Sequence, residues 1–148
     1  MSGKDMRRHA ERCLRDYRKN TARLEELRAE LEGLNSTSDI HAQDYSGRLI
    51  AGAGGADPVG SYVQRKLNLE HRISVLESYT EPVRQLWDDL LRSTDMASRN
   101  MLTILEQHYL AGVPMTRLLE ITGWNKSTFY SRRLSLVSLA VEYLKFKE

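Results

Sequence analysis

Apolar residues near the N-terminus recur at alternating steps of four and three positions. This spacing keeps one face of an α-helix apolar. The series comprises Met6, Ala10, Cys13, Tyr17, Asn20, Leu24, Leu27, Leu31 and Leu34. Most of the intervening positions are Arg, Lys or Glu, which is typical of the solvated face of a coiled coil. The pattern predicts a first coiled-coil helix over residues 1–34, ended by Gly33 and the polar run at 35–39.

Residues 35–57 are rich in small and polar side chains and contain the run Ala51-Gly52-Ala53-Gly54-Gly55-Ala56. Such a composition offers little apolar surface for packing, so we expect a flexible linker. A glycine-rich run can also bind phosphate. This one follows no predicted strand and lacks the Gly-Lys-Ser/Thr ending of a P-loop.

A second helix is predicted over residues 58–92, because Asp57-Pro58 is a strong helix start. Its heptad series runs Val59, Tyr62, Lys66, Leu69, Ile73, Leu76, Thr80, Val83, Trp87 and Leu90, which are apolar apart from Lys66 and Thr80. The two long helices are expected to fold back as an antiparallel hairpin. Pro82 predicts a kink, or a new helix capped by Thr80. Asn20 and Lys66 either fix the register of the coiled coil or point to its edge, and the sequence favours neither.

The C-terminal residues 95–148 show three shorter helical patterns. The first, Met96 to Leu110, is ended by Ala111-Gly112 and Pro114. Met115 to Thr122 follows, and after it Gly123 supplies a position for positive φ. Asn125 is expected to cap the last helix, which begins at Lys126. A short helix, a turn with glycine and a longer helix are typical of a helix-turn-helix. The predicted fold is all-α, an N-terminal helical hairpin followed by a C-terminal helix-turn-helix domain.

Polar side chains at the start of the last helix predict a DNA-binding surface. Phe129 is expected to point inward and to meet Leu119 across the turn, which leaves hydrogen-bonding side chains outside. The predicted DNA-binding residues are Arg117, Asn125, Lys126, Ser127, Thr128, Tyr130, Ser131, Arg132 and Arg133. The alternative is that these helices belong to an ordinary bundle with a solvated polar face.

The net charge and the distribution of reactive side chains narrow the range of possible functions further. The formal net charge is only +2, but basic residues outnumber acids from Leu110 to Glu148. With a single cysteine, Cys13, and no apolar N-terminal stretch, the sequence predicts a cytoplasmic protein that does not enter membranes. The four histidines are dispersed and form no metal-binding motif. The sequence also shows no motif that would place a nucleophile beside a general base. We therefore expect no metal, no cofactor and no enzymatic activity.

The stretch Leu118-Leu119-Glu120-Ile121-Thr122-Gly123-Trp124-Asn125-Lys126-Ser127-Thr128-Phe129-Tyr130, together with Tyr109-Leu110-Ala111-Gly112, resembles the region-4-type helix-turn-helix of sigma factors. The charged first helix, the glycine-rich loop and the opening Asp57-Pro58-Val59-Gly60 are similar to phage late-gene transcription regulators of the ArpU and RinA type. Two positions depart from the pattern. Leu119 stands where a small residue is usual, and Arg132 stands where an apolar one is expected.

This resemblance implies a phage or prophage transcriptional regulator that binds double-stranded DNA and acts on late genes. Host RNA polymerase is an expected second partner, and the hairpin is expected to form a homo-oligomer, preferably a dimer. One alternative is a DNA-packaging subunit similar to the small terminase, which would form a ring of eight or more chains. Another is a coiled-coil interaction protein that shows no salt-dependent DNA binding.

Overall fold

The structure, a computed structural model, describes the backbone of residues 2–48 and 58–145 and the side chains of residues 2–36 and 59–145. Most of these residues are helical, with no strand in the described ranges. The helices are α1 (Gly3–Arg15), α2 (Tyr17–Arg48), α3 (Pro58–Arg92), α4 (Met96–Thr103) with its continuation Ile104–Leu110, α5 (Met115–Thr122) and α6 (Lys126–Lys145). The expected all-α class is confirmed.

The chain divides into two compact units. Unit 1 comprises Met1–Asn20 and Ser78–Glu148, and unit 2 comprises Thr21–Glu77, so unit 2 is inserted into the sequence of unit 1. The core of unit 1 consists of Ala10, Cys13, Leu14, Tyr17, Val83, Leu86, Leu90, Ile104, Leu105, Tyr109, Leu118, Phe129, Leu136, Val137, Ala140, Val141 and Leu144. It therefore combines the N-terminal helix with the C-terminal helices.

Helix α1 is the part of the fold that the sequence pattern misassigned. Its first turn is capped by Ser2, whose hydroxyl accepts a hydrogen bond from the Asp5 N–H at 3.2 Å. It ends at Asp16, which separates it from α2. The apolar side of α1 packs on α6 and on Ile104–Leu110, so residues 1–34 are not one coiled-coil helix. The regular spacing identifies an apolar face correctly but does not specify which element covers it.

Burial also sets the chemistry of the single thiol. Cys13 lies on the buried side of α1 and is 3% exposed. Desolvation, reinforced by the nearby Asp16 carboxylate, raises the pKa of this thiol to about 11. Because the thiolate is the reactive form, Cys13 is an inert core residue at neutral pH.

Helix α2 extends beyond its expected end. The backbone is helical to Arg48, whereas the polar run at 35–39 predicted a stop. Serine, threonine, asparagine and aspartate each reduce helix stability by less than about 1 kcal/mol, and none of them blocks a helix as proline does. The remainder of the expected linker, residues 49–57, lies outside the described residues.

Unit 2 is formed by the parts of α2 and α3 that lie between Thr21 and Glu77. Its buried cluster within the described residues consists of Leu24, Leu27, Leu69 and Ile73. At its surface, Arg65 lies 3.6 Å from Glu30, Arg28 lies 3.0 Å from Glu77, and the Tyr62 hydroxyl donates to the Asn35 side chain at 3.3 Å. Lys66 of unit 2 is partly buried, and so is Asn20, the polar position of the first helical series, which lies at the end of the N-terminal stretch of unit 1.

Helix α3 continues through Pro82, so no new helix begins at Thr80. Proline removes one backbone N–H from the hydrogen-bond ladder. The Pro82 ring is fully buried in unit 1, next in sequence to the buried Val83. Burial of this apolar ring offsets part of the cost of the missing hydrogen bond.

Helix α4 begins at Asp95, whose side chain accepts the Ser98 N–H at 3.0 Å. Hydrogen bonds from Ser93 and Ser98 lower the pKa of this exposed carboxyl to about 2. After Thr103 the helix widens, and the Ala111 N–H donates to the carbonyl of Glu106, five residues earlier, at 2.9 Å. This π-helical segment buries Ile104, Leu105 and Tyr109. The sequence pattern predicted its helicity and its end at Leu110 but not its wider turns.

Candidate nucleic-acid interface

The turn between α5 and α6 is held by a continuous set of local hydrogen bonds. Gly123 has φ +76°, a value that favours glycine, and its N–H donates to the Leu119 carbonyl at 2.9 Å. The Thr122 hydroxyl donates to the Leu118 carbonyl at 2.8 Å and accepts the Trp124 N–H at 3.2 Å. These bonds provide hydrogen-bond donors for backbone carbonyl groups at the end of α5, and they fix the direction in which the chain leaves the helix.

Asn125 begins the second helix in the expected way. Its side-chain oxygen accepts the Thr128 N–H at 2.8 Å, as a helix N-cap does. This bond engages the oxygen of the Asn125 amide, so the residue positions α6 although it is exposed. Asn125 therefore acts first as a structural residue within the predicted DNA-binding set.

The buried side chain of Phe129 fixes the orientation of α6. This side chain is 2% exposed, and its ring meets the edge of the His108 ring at a centroid distance of 5.3 Å. His108 Nδ1 in turn donates to the Val113 carbonyl at 2.9 Å. Leu118 of α5 is fully buried in the same core, and Leu119 is only partly buried. The widened end of α4 thus supports the α5–α6 turn.

Most of the side chains predicted to face outward at the start of α6 do so. Lys126, Ser127, Tyr130 and Ser131 are exposed, whereas Thr128 is partly buried. Tyr130 retains 49% of its accessible surface. A long cation, two small hydroxyls and a phenol therefore lie on the first two turns of one supported helix.

Arg132 and Arg133 each contact other side chains of unit 1, which their sequence context did not indicate. The Arg132 guanidinium lies over the Trp124 ring, 4.6 Å from its centroid. This contact explains how Arg132 is accommodated at a position where an apolar residue was expected. Arg133 Nη1 lies 3.0 Å from a carboxylate oxygen of Glu11, and its guanidinium carbon is 5.7 Å from the Tyr130 ring centroid.

Arg117 lies apart from these contacts, on α5. It forms an ion pair with Glu120 at 3.2 Å, and the two side chains are 66% and 69% exposed. Exposed ion pairs contribute little to stability, so a phosphate group could compete for this guanidinium.

The stretch between Glu120 and Glu142 carries only positive charges. Between Glu120 and Glu142 the sequence holds no acidic residue, whereas it holds Lys126, Arg132 and Arg133. Among the described residues, the carboxylate of Glu11, which belongs to α1 and is distant in sequence, forms an ion pair with Arg133. Glu11 lies in the stretch interpreted as a coiled-coil helix, and the sequence pattern gave no sign of this ion pair.

Tyr109 lies in the core near the Glu11–Arg133 pair. Burial, with the Glu11 charge as a second cause, raises the pKa of its hydroxyl to about 12, while Arg133 and Arg15 oppose the shift. This buried oxygen lacks the geometry of a hydrogen bond to any described group. Tyr109 therefore remains neutral at physiological pH and acts as a packing residue.

The described residues hold no group of three or more His, Cys, Asp or Glu side chains that could bind a metal ion. Within the same part of the chain, no helix is long and apolar enough to cross a membrane. Comparisons with protein-family models, with curated proteins and with solved structures found no match.

Proposed function

We propose that the protein is a sequence-specific regulator of transcription that binds double-stranded DNA, with α6 lying in the major groove. The observation that carries this proposal is the supported start of α6, where Lys126, Ser127, Tyr130 and Ser131 are exposed above the buried Phe129. Small hydroxyls can approach base edges, and lysine and tyrosine can reach phosphates. The absence of acidic residues from 121 to 141 removes electrostatic repulsion at this surface.

The resemblance to phage late-gene regulators supports the same proposal and supplies its context. In this context the protein acts in the cytoplasm on late genes, with host RNA polymerase as a second partner. The turn held by Gly123 and Asn125 serves as the connection of a helix-turn-helix. In this proposal α2 and α3 fold back on each other as an antiparallel hairpin, which is supported by the contacts of Arg65 with Glu30 and of Tyr62 with Asn35.

Selection from a pool of random duplexes tests whether the protein recognises a sequence. We expect one sequence to be enriched. The double variant Ser127→Ala, Ser131→Ala should then lose about 1–3 kcal/mol per specific contact on that duplex while retaining its affinity for a scrambled one. The substitution Lys126→Gln should instead weaken binding to both duplexes and reduce the slope of log affinity against log salt by about 1.

The matched control is Ser74→Ala, an exposed serine of unit 2. It should leave both affinities unchanged. If no sequence is enriched and no salt-dependent binding occurs, the DNA-binding proposal is wrong, and the interaction-protein alternative remains.

Self-association of the regulator has a candidate surface on α3. Val59, Val63 and Leu67 are 54%, 46% and 54% exposed. Their spacing of four residues places them in one row along the helix. A second copy of the chain would cover this row in a dimer.

Light scattering of the double variant Val63→Lys, Leu67→Lys tests the dimer. We expect the measured mass to fall from that of two chains to that of one, because charged residues are costly to bury at a helix interface. The control Ser61→Lys, Ser74→Lys adds the same charge at exposed polar positions. Equal masses for the two variants would contradict this interface, and a wild-type ring of eight or more chains would favour the packaging subunit.

A further inference from the structure

The exposed side of α1 is strongly basic. Its solvent-facing basic residues are Lys4, Arg7, Arg8, Arg12 and Arg15. Apart from the adjacent pair Arg7 and Arg8, successive members are three or four residues apart. At 100° per residue the five fall within about 140° around the helix, on one side that we call the α1 basic face. Asp5 lies at the border of this face, where it accepts a hydrogen bond from the Ser2 hydroxyl at 2.8 Å.

The acid within this face, Glu11, is shared between two guanidinium groups. One carboxylate oxygen of Glu11 lies 3.0 Å from Arg15 and 3.0 Å from Arg133. A single negative charge therefore compensates two positive charges, and Arg15 remains 65% exposed. The α1 basic face keeps a net positive charge after its own ion pairs are counted.

The same ion pairs connect α1 to the exposed start of α6. Arg133 contacts Glu11 on one side, and its guanidinium carbon lies 5.7 Å from the ring centroid of Tyr130 on the other. Tyr130 belongs to the surface assigned above to DNA. A duplex bound at Tyr130 would therefore lie next to Arg133, which is linked through Glu11 to Arg15.

The opposite side of α1 is not free to bind a partner. Ala10, Cys13 and Leu14 are buried in the core of unit 1. A helix that binds a membrane surface needs an accessible apolar side, and α1 has none. The kind of ligand that fits the α1 basic face is a row of negative charges.

We propose that the α1 basic face binds the phosphate backbone of the same duplex that α6 recognises, an inference that rests on the proposed function. From Lys4 to Arg15 the helix rises about 16 Å at 1.5 Å per residue. Successive phosphates on one strand of DNA rise about 3.4 Å along the axis. The face is thus long enough to contact several phosphates, and it adds affinity without adding sequence preference.

The variant Lys4→Gln, Arg7→Gln, Arg8→Gln tests this assignment, since glutamine retains helix propensity and removes the charge. Binding is measured as a function of salt on a 30-base-pair random duplex. We expect the slope of log affinity against log salt to fall by about 2 to 3, since each phosphate contact contributes about 0.9. The control Arg28→Gln, Arg65→Gln, Arg72→Gln removes the same charge from unit 2 and should leave the slope unchanged.

A tethered cleavage reagent provides a second readout that does not depend on the triple variant folding. An iron chelate attached to Arg8→Cys should cut the backbone of a bound duplex, and the same reagent on Ser74→Cys should not. The native thiol does not compete, because Cys13 is buried and its pKa is raised to about 11.

The outcomes separate this inference from the proposed function. If wild-type protein binds the duplex but the triple variant keeps the wild-type slope, or if Arg8→Cys gives no cleavage, α1 does not contact DNA and the role of α6 is unaffected. If wild-type protein binds no duplex, both proposals fail. A reduced slope together with cleavage from position 8 establishes the second contact.

Discussion

Replacing Phe129 by alanine is expected to destabilise unit 1 by about 3–5 kcal/mol, the largest effect of any single change considered for α6. The Phe129 side chain is 2% exposed and lies against His108 in the core that supports the α5–α6 turn. Truncation removes the apolar contacts of Phe129 and leaves a cavity between α6 and the widened segment Ile104–Leu110. Urea unfolding followed by tryptophan fluorescence measures this loss, because Trp87 and Trp124 both belong to unit 1.

The neighbouring aromatic residue provides the matched control. Tyr130 follows Phe129 in sequence but retains 49% exposure, so Tyr130→Ala should reduce stability by less than about 1 kcal/mol. Equal losses for the two variants would mean that α6 is rotated relative to the orientation described, and the assignment of its outward residues would then be wrong.

Replacing Leu27 by alanine is expected to destabilise unit 2 by about 2–5 kcal/mol. Leu27 is 1% exposed and belongs to a small buried cluster with Leu24, Leu69 and Ile73. This cluster is separate from the core of unit 1. Hydrogen exchange should therefore accelerate at residues 21–36 and 59–77 and stay unchanged in α6, since separate clusters can open independently.

Leu91→Ala is the control for this experiment, because Leu91 is 55% exposed and undergoes the same chemical change. It should leave exchange in unit 2 as in the wild type. Acceleration of equal size in α6 and in unit 2 after Leu27→Ala would show that the two units unfold as one.

The local structure of the candidate site could be predicted from sequence because it depends on neighbouring residues. Gly123 has the positive φ that its position requires, Asn125 caps α6, and Phe129 is buried. Each of these features arises from residues a few positions apart, where turn and capping chemistry is specific. The exposed positions of Lys126 and Ser127 follow from helical geometry once Phe129 is placed inside.

The long-range organisation could not be predicted in the same way. The spacing from Met6 to Leu34 is uninterrupted, yet Ala10 and Cys13 belong to unit 1 whereas Leu24 and Leu27 belong to unit 2. Helical periodicity states which side of a helix is apolar and carries no information on its partner. For the same reason the pairing of Glu11 with Arg133, separated by 122 residues, had no local signature in the sequence.

The packing of α1 against α6 has a consequence for the order in which the protein folds during synthesis. Glu11 precedes Arg133 by 122 residues, so at about 5–20 residues per second the ribosome needs about 6 to 24 s to supply the partner of α1. Unit 2 is complete well before then, since it ends at Glu77. Throughout this interval the apolar side of α1 has no α6 to cover it, and a nascent chain in that state is a substrate for chaperones.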